Sequence, residues 1–224
     1  MEIFELVNER HSVRSYMDEA IEGDTLKTIK QTVNQCNEES GLNIQLCINE
    51  PNAFSSMLAR YGKFTNVNNY VAIVGDNDNS LEEKGGYYGE KIVMEAQRLG
   101  LNTCWVAMTF SKNKTKANID VKQGQKLLMV IAIGYGTNQG VVHKVKPIEA
   151  LSNITKDSPE WFKRGIIAAQ LAPTAMNQQK FRFVLEKDNI VKAYHGSGIY
   201  TKVDLGIAKY HFEICANNKK LKWE

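Results

Sequence analysis

The sequence predicts a mixed α+β fold built in packed layers. Three observations lead there. Apolar stripes at helical spacing interleave with short apolar runs, but not as a regular strand–helix–strand repeat. The unbroken apolar run at 127–133 is far too short to cross a membrane and reads as a central strand. Neither a Gly-x-Gly-x-x-Gly turn after a strand nor a Walker loop occurs, so the two common nucleotide-binding motifs are missing. At 224 residues the chain can bury a substantial core, as one domain or two small ones.

The elements follow from local chemistry. Ile3, Phe4, Leu6 and Val7 recur at helical spacing, which predicts a short amphipathic helix over 2–9. Asp24 is a candidate cap for a second helix striped by Leu26, Ile29 and Val33 and ending near Gly41. A strand is expected over 42–48, a short helix over 54–61, and a buried strand at 70–74. Ser80-Leu81-Glu82-Glu83 has the form of a capping box before a long helix over 85–99, with Gly100 at its C-terminal cap. A strand-like exit follows at 101–106. Residues 111–126, rich in Lys and Asn, read as a loop with one weak helix that could cover a site. Ser158-Pro159-Glu160 is a helix start. Strands at 181–185 and 190–194 should pair across 186–189, and a last helix over 203–216 carries Leu205, Ala208, Phe212 and Cys215.

Charge and cysteine usage narrow the function classes. The net charge is only +3 and the lysines are scattered, with 219–222 the nearest thing to a cluster, so nucleic acid is not an expected partner. The four cysteines form no Cys-x-x-Cys pair, which predicts reduced thiols and a cytoplasmic location. The N-terminus lacks the pattern of a signal peptide, and no membrane association is expected. His195 and His211 have no partners at ligand spacing, so no metal site is expected.

Three segments could carry chemistry. In an extended Arg10-His11-Ser12-Val13-Arg14-Ser15-Tyr16, the side chains of Arg10, Ser12 and Arg14 share one face. Two guanidiniums and a hydroxyl suit a phosphate, or else a solvated basic turn. Lys144 and Lys146 likewise share a face and form a second cationic spot. In the third segment a helical run ends at Pro173, and Thr174, Ala175, Asn177, Gln178 and Gln179 follow before a strand. That loop could present backbone and amide groups to something flat or anionic, or could be an ordinary helix–turn–strand link.

In order along the chain, several segments resemble the FMN-dependent nitroreductase family. Arg10–Tyr16 is similar to its Arg-x-Ser-x-Arg/Lys-x-Phe segment. Arg98-Leu99-Gly100-Leu101-Asn102-Thr103-Cys104-Trp105-Val106 is similar to its Leu-Gly-Leu-Gly-Thr-Cys-Trp segment, the most specific match. Ile131-Ala132-Ile133-Gly134-Tyr135-Gly136 resembles the strand ending in Gly-Tyr. His143-Lys144-Val145-Lys146-Pro147 resembles the basic segment over the cofactor phosphate. Ala172-Pro173-Thr174-Ala175-Met176-Asn177-Gln178-Gln179 resembles the family's Ala-Pro-Ser-x-x-Asn-x-Gln-Pro loop, with Thr174 for Ser and Lys180 for the final Pro.

The resemblance implies α/β/α layers and a specific organisation. In the family the Ala-Pro-Ser loop normally lies one helix after the Arg-x-Ser-x-Arg segment, whereas here it lies beyond residue 170. Lys91, Glu95 and Trp105 also recur as Lys209, Glu213 and Trp223 at the same spacing. This resembles the single-chain, two-half branch typified by thermophilic nitroreductases. It implies a pseudo-dimer: a larger half, 1–150, and a smaller half, 151–224, that replaces a partner subunit and completes one flavin site. The chain is then expected to be a monomer or a weak homodimer.

By the same resemblance, the activity is hydride transfer from NAD(P)H through FMN to a small acceptor such as a nitroaromatic or quinone. Arg10, Ser12, Lys144 and Lys146 would hold the phosphate and ribityl chain, with His11 inside the phosphate segment. Arg14 would lie near the pyrimidine edge. Pro173, Thr174, Ala175 and Asn177 would close over the cofactor, with Gln179 toward the ring edge. Ala107 and Met108 stand where the family's backbone approaches the flavin, although the family often has Glu-Gly or Gly-Gly there. Tyr61, Phe64 and Phe110 could line an acceptor pocket or serve as packing. No side-chain general acid is evident. The alternatives are a flavin-binding storage or sensing protein without turnover, a non-flavin interaction protein, and a specialised branch acting in flavin destruction or dehalogenation.

Overall fold

The computed structural model describes residues 2–218 and 220–224, so Lys219 of the basic tail lies outside the described residues. In chain order the helices are α1 (Ile3–Glu9), α2 (Gly23–Ser40), α3 (Met57–Tyr61), α4 (Leu81–Arg98), α5 (Lys112–Lys116), α6 (Ile148–Leu151), α7 (Glu160–Gln170) and α8 (Thr201–Ala216). The strands are β1 (Gln45–Cys47), β2 (Tyr70–Asp76), β3 (Asn102–Val106), β4 (Gln125–Gly134), β5 (Phe181–Leu185), β6 (Ile190–His195) and β7 (Lys222–Trp223). Two compact units form, and neither is one continuous stretch. The first comprises Arg10–Leu81 and Lys91–Val141; the second comprises Met1–Glu9, Glu82–Glu90 and Val142–Glu224.

The first unit is organised by a four-stranded sheet in the order β1-β2-β4-β3, antiparallel at every step. The apolar run at 127–133 does occupy an inner strand. Ala132 lies between Tyr70 and Cys104, and Val130 between Ala72 and Val106. Because successive side chains alternate faces, these six residues share one side. With Tyr16, Phe54, Phe64 and Phe110 they form a buried core. The strand expected at 42–48 is cut to Gln45–Cys47. Its approach is fixed by Asn37 at the end of α2, which accepts from the Ile44 amide at 2.7 Å and donates to the Ile44 carbonyl at 2.9 Å.

The helix ends separate pattern from geometry. Gly41 and Gly100 take the left-handed conformation (φ 73° and 79°) that closes α2 and α4, as their positions predict. The expected N-caps differ. α2 begins at Gly23 after Glu22, so Asp24 sits inside the first turn. At α4 the Ser80 side chain does not cap; the Asp78 carboxylate accepts from the Ser80 amide at 2.7 Å and the Leu81 amide at 3.1 Å. A carboxylate is the stronger acceptor near the positive end of the helix.

The second unit packs α7 against α8 and joins them to the sheet β5-β6-β7. β5 and β6 pair antiparallel from Phe181↔His195 to Leu185↔Val191, as their turn signal predicts. β7, parallel to β6, is too short to leave a sequence pattern. Aromatic rings fill the centre: Phe212 lies 5.2 Å from Phe183, 5.4 Å from Trp223 and 5.7 Å from Phe162, at tilted or edge-on angles that suit ring quadrupoles. Within this unit the first half of α4 crosses α8. A Cβ added to Gly86 would sit against the Val203 carbonyl oxygen, and one added to Gly206 against the Glu83 carbonyl oxygen, both well inside 3.0 Å. Each glycine faces the residue three places before the other. The nearest contacts of the two glycines are therefore reciprocal, although they are made by one chain.

Candidate functional site

The predicted site residues fall into two sets, one in each unit. In the first unit, Arg10–Tyr16 is held extended as an added edge on the sheet. The Val13 amide donates to the Thr103 carbonyl at 3.0 Å, and Ser12 bridges Thr103 in parallel register. The arm does not alternate strictly, because Val13 and Tyr16, three residues apart, both enter the core. Arg10 and Arg14 do not share an environment as the simple alternation implies. Arg10 is 3% exposed, while Arg14 is exposed, its guanidinium 5.9 Å from the centre of the Phe64 ring. Burial, and then the Arg10 charge, push the His11 imidazole below its usual pKa, which favours its neutral form. A Cβ on Gly140 would meet the His11 Cβ at 2.7 Å, so the turn after β4 closes directly on this arm.

The exit of β3 supplies the second feature of this unit. Ala107 and Met108 follow Val106 and line an open cavity of about 430 Å³ together with Phe110, Ser111, Lys112 and Asn113. Phe110 is a cavity wall as well as a core residue. Phe64 is buried in that core, and Tyr61 is 85% exposed; neither lines the cavity among the residues that define it.

In the second unit the structure joins two segments that are far apart in sequence. The Lys144 carbonyl accepts from Asn177 Nδ2 and from Gln179 Nε2, each at 2.8 Å. The Lys146 amide donates to Gln179 Oε1 at 2.8 Å, and Gln170 Nε2 donates to the Lys146 carbonyl at 2.6 Å. The two lysines separate in role. Lys146 Nζ already donates to the carbonyls of Gln178 and Gln179, at 2.8 and 3.0 Å, whereas the Lys144 side chain is exposed. Gln179 is 3% exposed and bonded at both ends of its amide, so it clamps the loop from within.

That loop is strained. Met176, Asn177 and Gln179 all take positive φ, at 50°, 54° and 44°. Asn visits this region readily, but for other side chains it costs about 1–2 kcal/mol per residue. The surrounding bonds must hold it there. Thr174 Oγ1 accepts from the Gln179 amide at 3.1 Å. The main anchor is a residue that sequence reasoning missed as part of the site. Asp204, in the first turn of α8 and 2% exposed, accepts from the Ala175 amide at 2.9 Å and from Gln178 Nε2 at 2.7 Å. The signal was present: a lone acid between Val203 and Leu205, in an otherwise apolar run, must find donors or lose its charge.

Burial raises the Asp204 carboxyl to about 6, against the opposing pull of the Ala175 amide and Gln178. Between its ordinary value of 3.8 and about 6 the folded chain therefore holds more protons than the unfolded one. Stability falls as pH rises through that window, by up to about 3 kcal/mol from this group. Urea denaturation of the parent and of Asp204→Asn at pH 4, 5, 6 and 7 should show the difference between them changing across the window and levelling above it. A constant difference would contradict the assignment.

Comparison with known proteins gives the family. The model described as "Putative TM nitroreductase" matches residues 2–216. A search of curated proteins found no match. Among solved structures, a "putative nitroreductase" from Thermotoga maritima is similar over 96% of this chain and 83% of its own, at 20% identity and a TM-score of 0.68. A "putative nitroreductase in complex with fmn" from Desulfovibrio desulfuricans is similar over 71% of this chain and 99% of its own, at 16% identity and a TM-score of 0.55. A Bacteroides thetaiotaomicron protein named "Putative NADH dehydrogenase/NAD(P)H nitroreductase" is similar over 70% of this chain and 98% of its own, at 17% identity and a TM-score of 0.53. At these identities the likeness establishes the fold, which is that of the nitroreductases. With one family model spanning nearly the whole chain, the protein belongs to the family described as "Putative TM nitroreductase".

Proposed function

We propose that the protein is an FMN-dependent oxidoreductase that moves hydride from NAD(P)H to a small acceptor such as a nitroaromatic or quinone. The observation that carries this reading is the family match over residues 2–216, and the FMN complex of the Desulfovibrio relative supports the choice of cofactor. The donor set is compatible with such a group. In the first unit exposed Arg14 offers a cationic donor and Ser12 a hydroxyl; in the second, exposed Lys144 offers a cation and Pro173 and Ala175 small surfaces for a flat ring. When bound, FMN supplies the electron-transfer chemistry. Arg10, His11, Ser12, Arg14, Ala107 and Met108 of the first unit are assigned to binding and orienting it. From the second unit the assignment includes Lys144, Lys146, Pro173, Thr174, Ala175, Asn177 and Gln179. Within it, Lys146 and Gln179 act by shaping the loop, because their polar groups are largely engaged there.

The chain is further read as a pseudo-dimer, with 151–224 in place of a second subunit. The reciprocal contacts of Gly86 and Gly206 support this, since an isologous contact is what two copies of one helix would make. The purified protein should show a flavin spectrum, or acquire one with added FMN, at one flavin per 25.3 kDa chain. NADH or NADPH should bleach it, and a nitroarene or quinone should restore it. A protein that stays colourless with FMN would refute the cofactor, and two flavins per chain would refute the single-site pseudo-dimer. Binding without bleaching would identify a storage or sensing protein instead.

A further inference from the structure

We propose that Asp204 is a positioning residue: through the Ala175 amide and the Gln178 side chain, its carboxylate sets the turn at 176–179, with Met176, Asn177 and Gln179 at positive φ, that is assigned to the cofactor. The inference rests on the FMN reading only for its functional consequence. The geometry belongs to the second unit alone. One oxygen holds the main chain at Ala175 and the other holds Gln178 Nε2, which also donates to the Ile199 carbonyl at 2.9 Å. Met176 and Gln179 cannot hold positive φ unaided, and Asp204 fixes the start of the turn from a rigid helix end. Met176, within the turn, is 78% exposed, so the turn presents this side chain outward while its base is bonded. Neighbouring charged groups are engaged elsewhere. Lys180 Nζ donates to the Ser197 carbonyl, Lys146 Nζ to Gln178 and Gln179, and His195 Nδ1 lies 3.0 Å from the Gly196 carbonyl oxygen. Lys202, on the same helix, is not among the causes of the Asp204 shift, which are burial and the two bonds described.

The test pairs amide exchange with cofactor titration. In the protein without added flavin, Asp204→Asn should speed exchange of the Ala175 and Gln179 amides at least ten-fold. An asparagine still accepts from Ala175, but its NH₂ then faces the NH₂ of Gln178. FMN affinity, read by quenching of flavin fluorescence, should drop about ten-fold at pH 7.5. The ratio to the parent should shrink toward two-fold at pH 5, where the parent carboxyl is itself protonated, and taking the ratio cancels titration of the ligand. Should Asp204→Asn fail to fold, Gln178→Leu removes one arm only and should still speed exchange at Gln179. Exchange and affinity within two-fold of the parent would overturn the proposal. Faster exchange in a chain that binds no FMN would leave the positioning role standing and refute the cofactor reading instead.

Discussion

Replacing Gly206 with alanine is expected to lower stability by about 3 kcal/mol, and Gly86→Ala by a similar amount. Most overpacking substitutions cost about 1–3 kcal/mol because a side chain can yield. Here the obstacle is main chain on both sides: the Glu83 carbonyl faces Gly206 and the Val203 carbonyl faces Gly86. Neither can retreat without breaking the helix that carries it. Alanine is otherwise the better helix former by about 1 kcal/mol, so local propensity alone predicts the opposite sign. The two substitutions strain one crossing, so the double variant should lose less than the sum of the singles. Urea denaturation measures all three. A loss under about 1 kcal/mol in both singles would mean that the helices do not meet at these glycines.

Breaking the buried pair Glu90–His211 should cost at least as much. Both side chains are 0% exposed, with Nε2 at 2.8 Å from Glu90 Oε1 and Nδ1 at 3.2 Å from the Ala168 carbonyl oxygen. A carbonyl can only accept, so Nδ1 carries a hydrogen. A proton then lies between Nε2 and the carboxylate, whichever atom holds it. Removing either partner takes away the bond between two fully buried groups, at a cost of about 3–5 kcal/mol. Glu90→Ala and His211→Ala should each show that loss. Glu90→Leu combined with His211→Phe should cost less than either, because neither member of the pair is left buried without the other. A double variant as damaged as the sum of the two singles would show that the pair is uncoupled.

Much of the fold was legible before any coordinate. Phe181–Leu185 has the predicted bounds because it alternates and is fenced by turn residues, and Gly41 and Gly100 mark helix ends because only they accept that geometry cheaply. The inner strand was readable from its unbroken apolar run. What failed was local competition. Ser80 looked like a cap, but Asp78 could reach the same amides with a charged oxygen. The grouping of Lys144, Lys146, Asn177 and Gln179 as site residues came from resemblance. The division of labour among them did not, because a lysine in sequence says nothing about which carbonyls will surround its ammonium.

By itself the sequence determined the order and type of most elements. Those features depend on spacing along the chain, which local sterics and hydrophobic period read directly. Tertiary structure alone decided that Met1–Glu9 and Glu82–Glu90 belong with Val142–Glu224. It also decided that Arg10 is buried while Arg14 is not, and that Asp204 anchors a strained turn. Each of these depends on which distant residues arrive beside a given side chain and displace its water, and that is fixed only when the chain has packed.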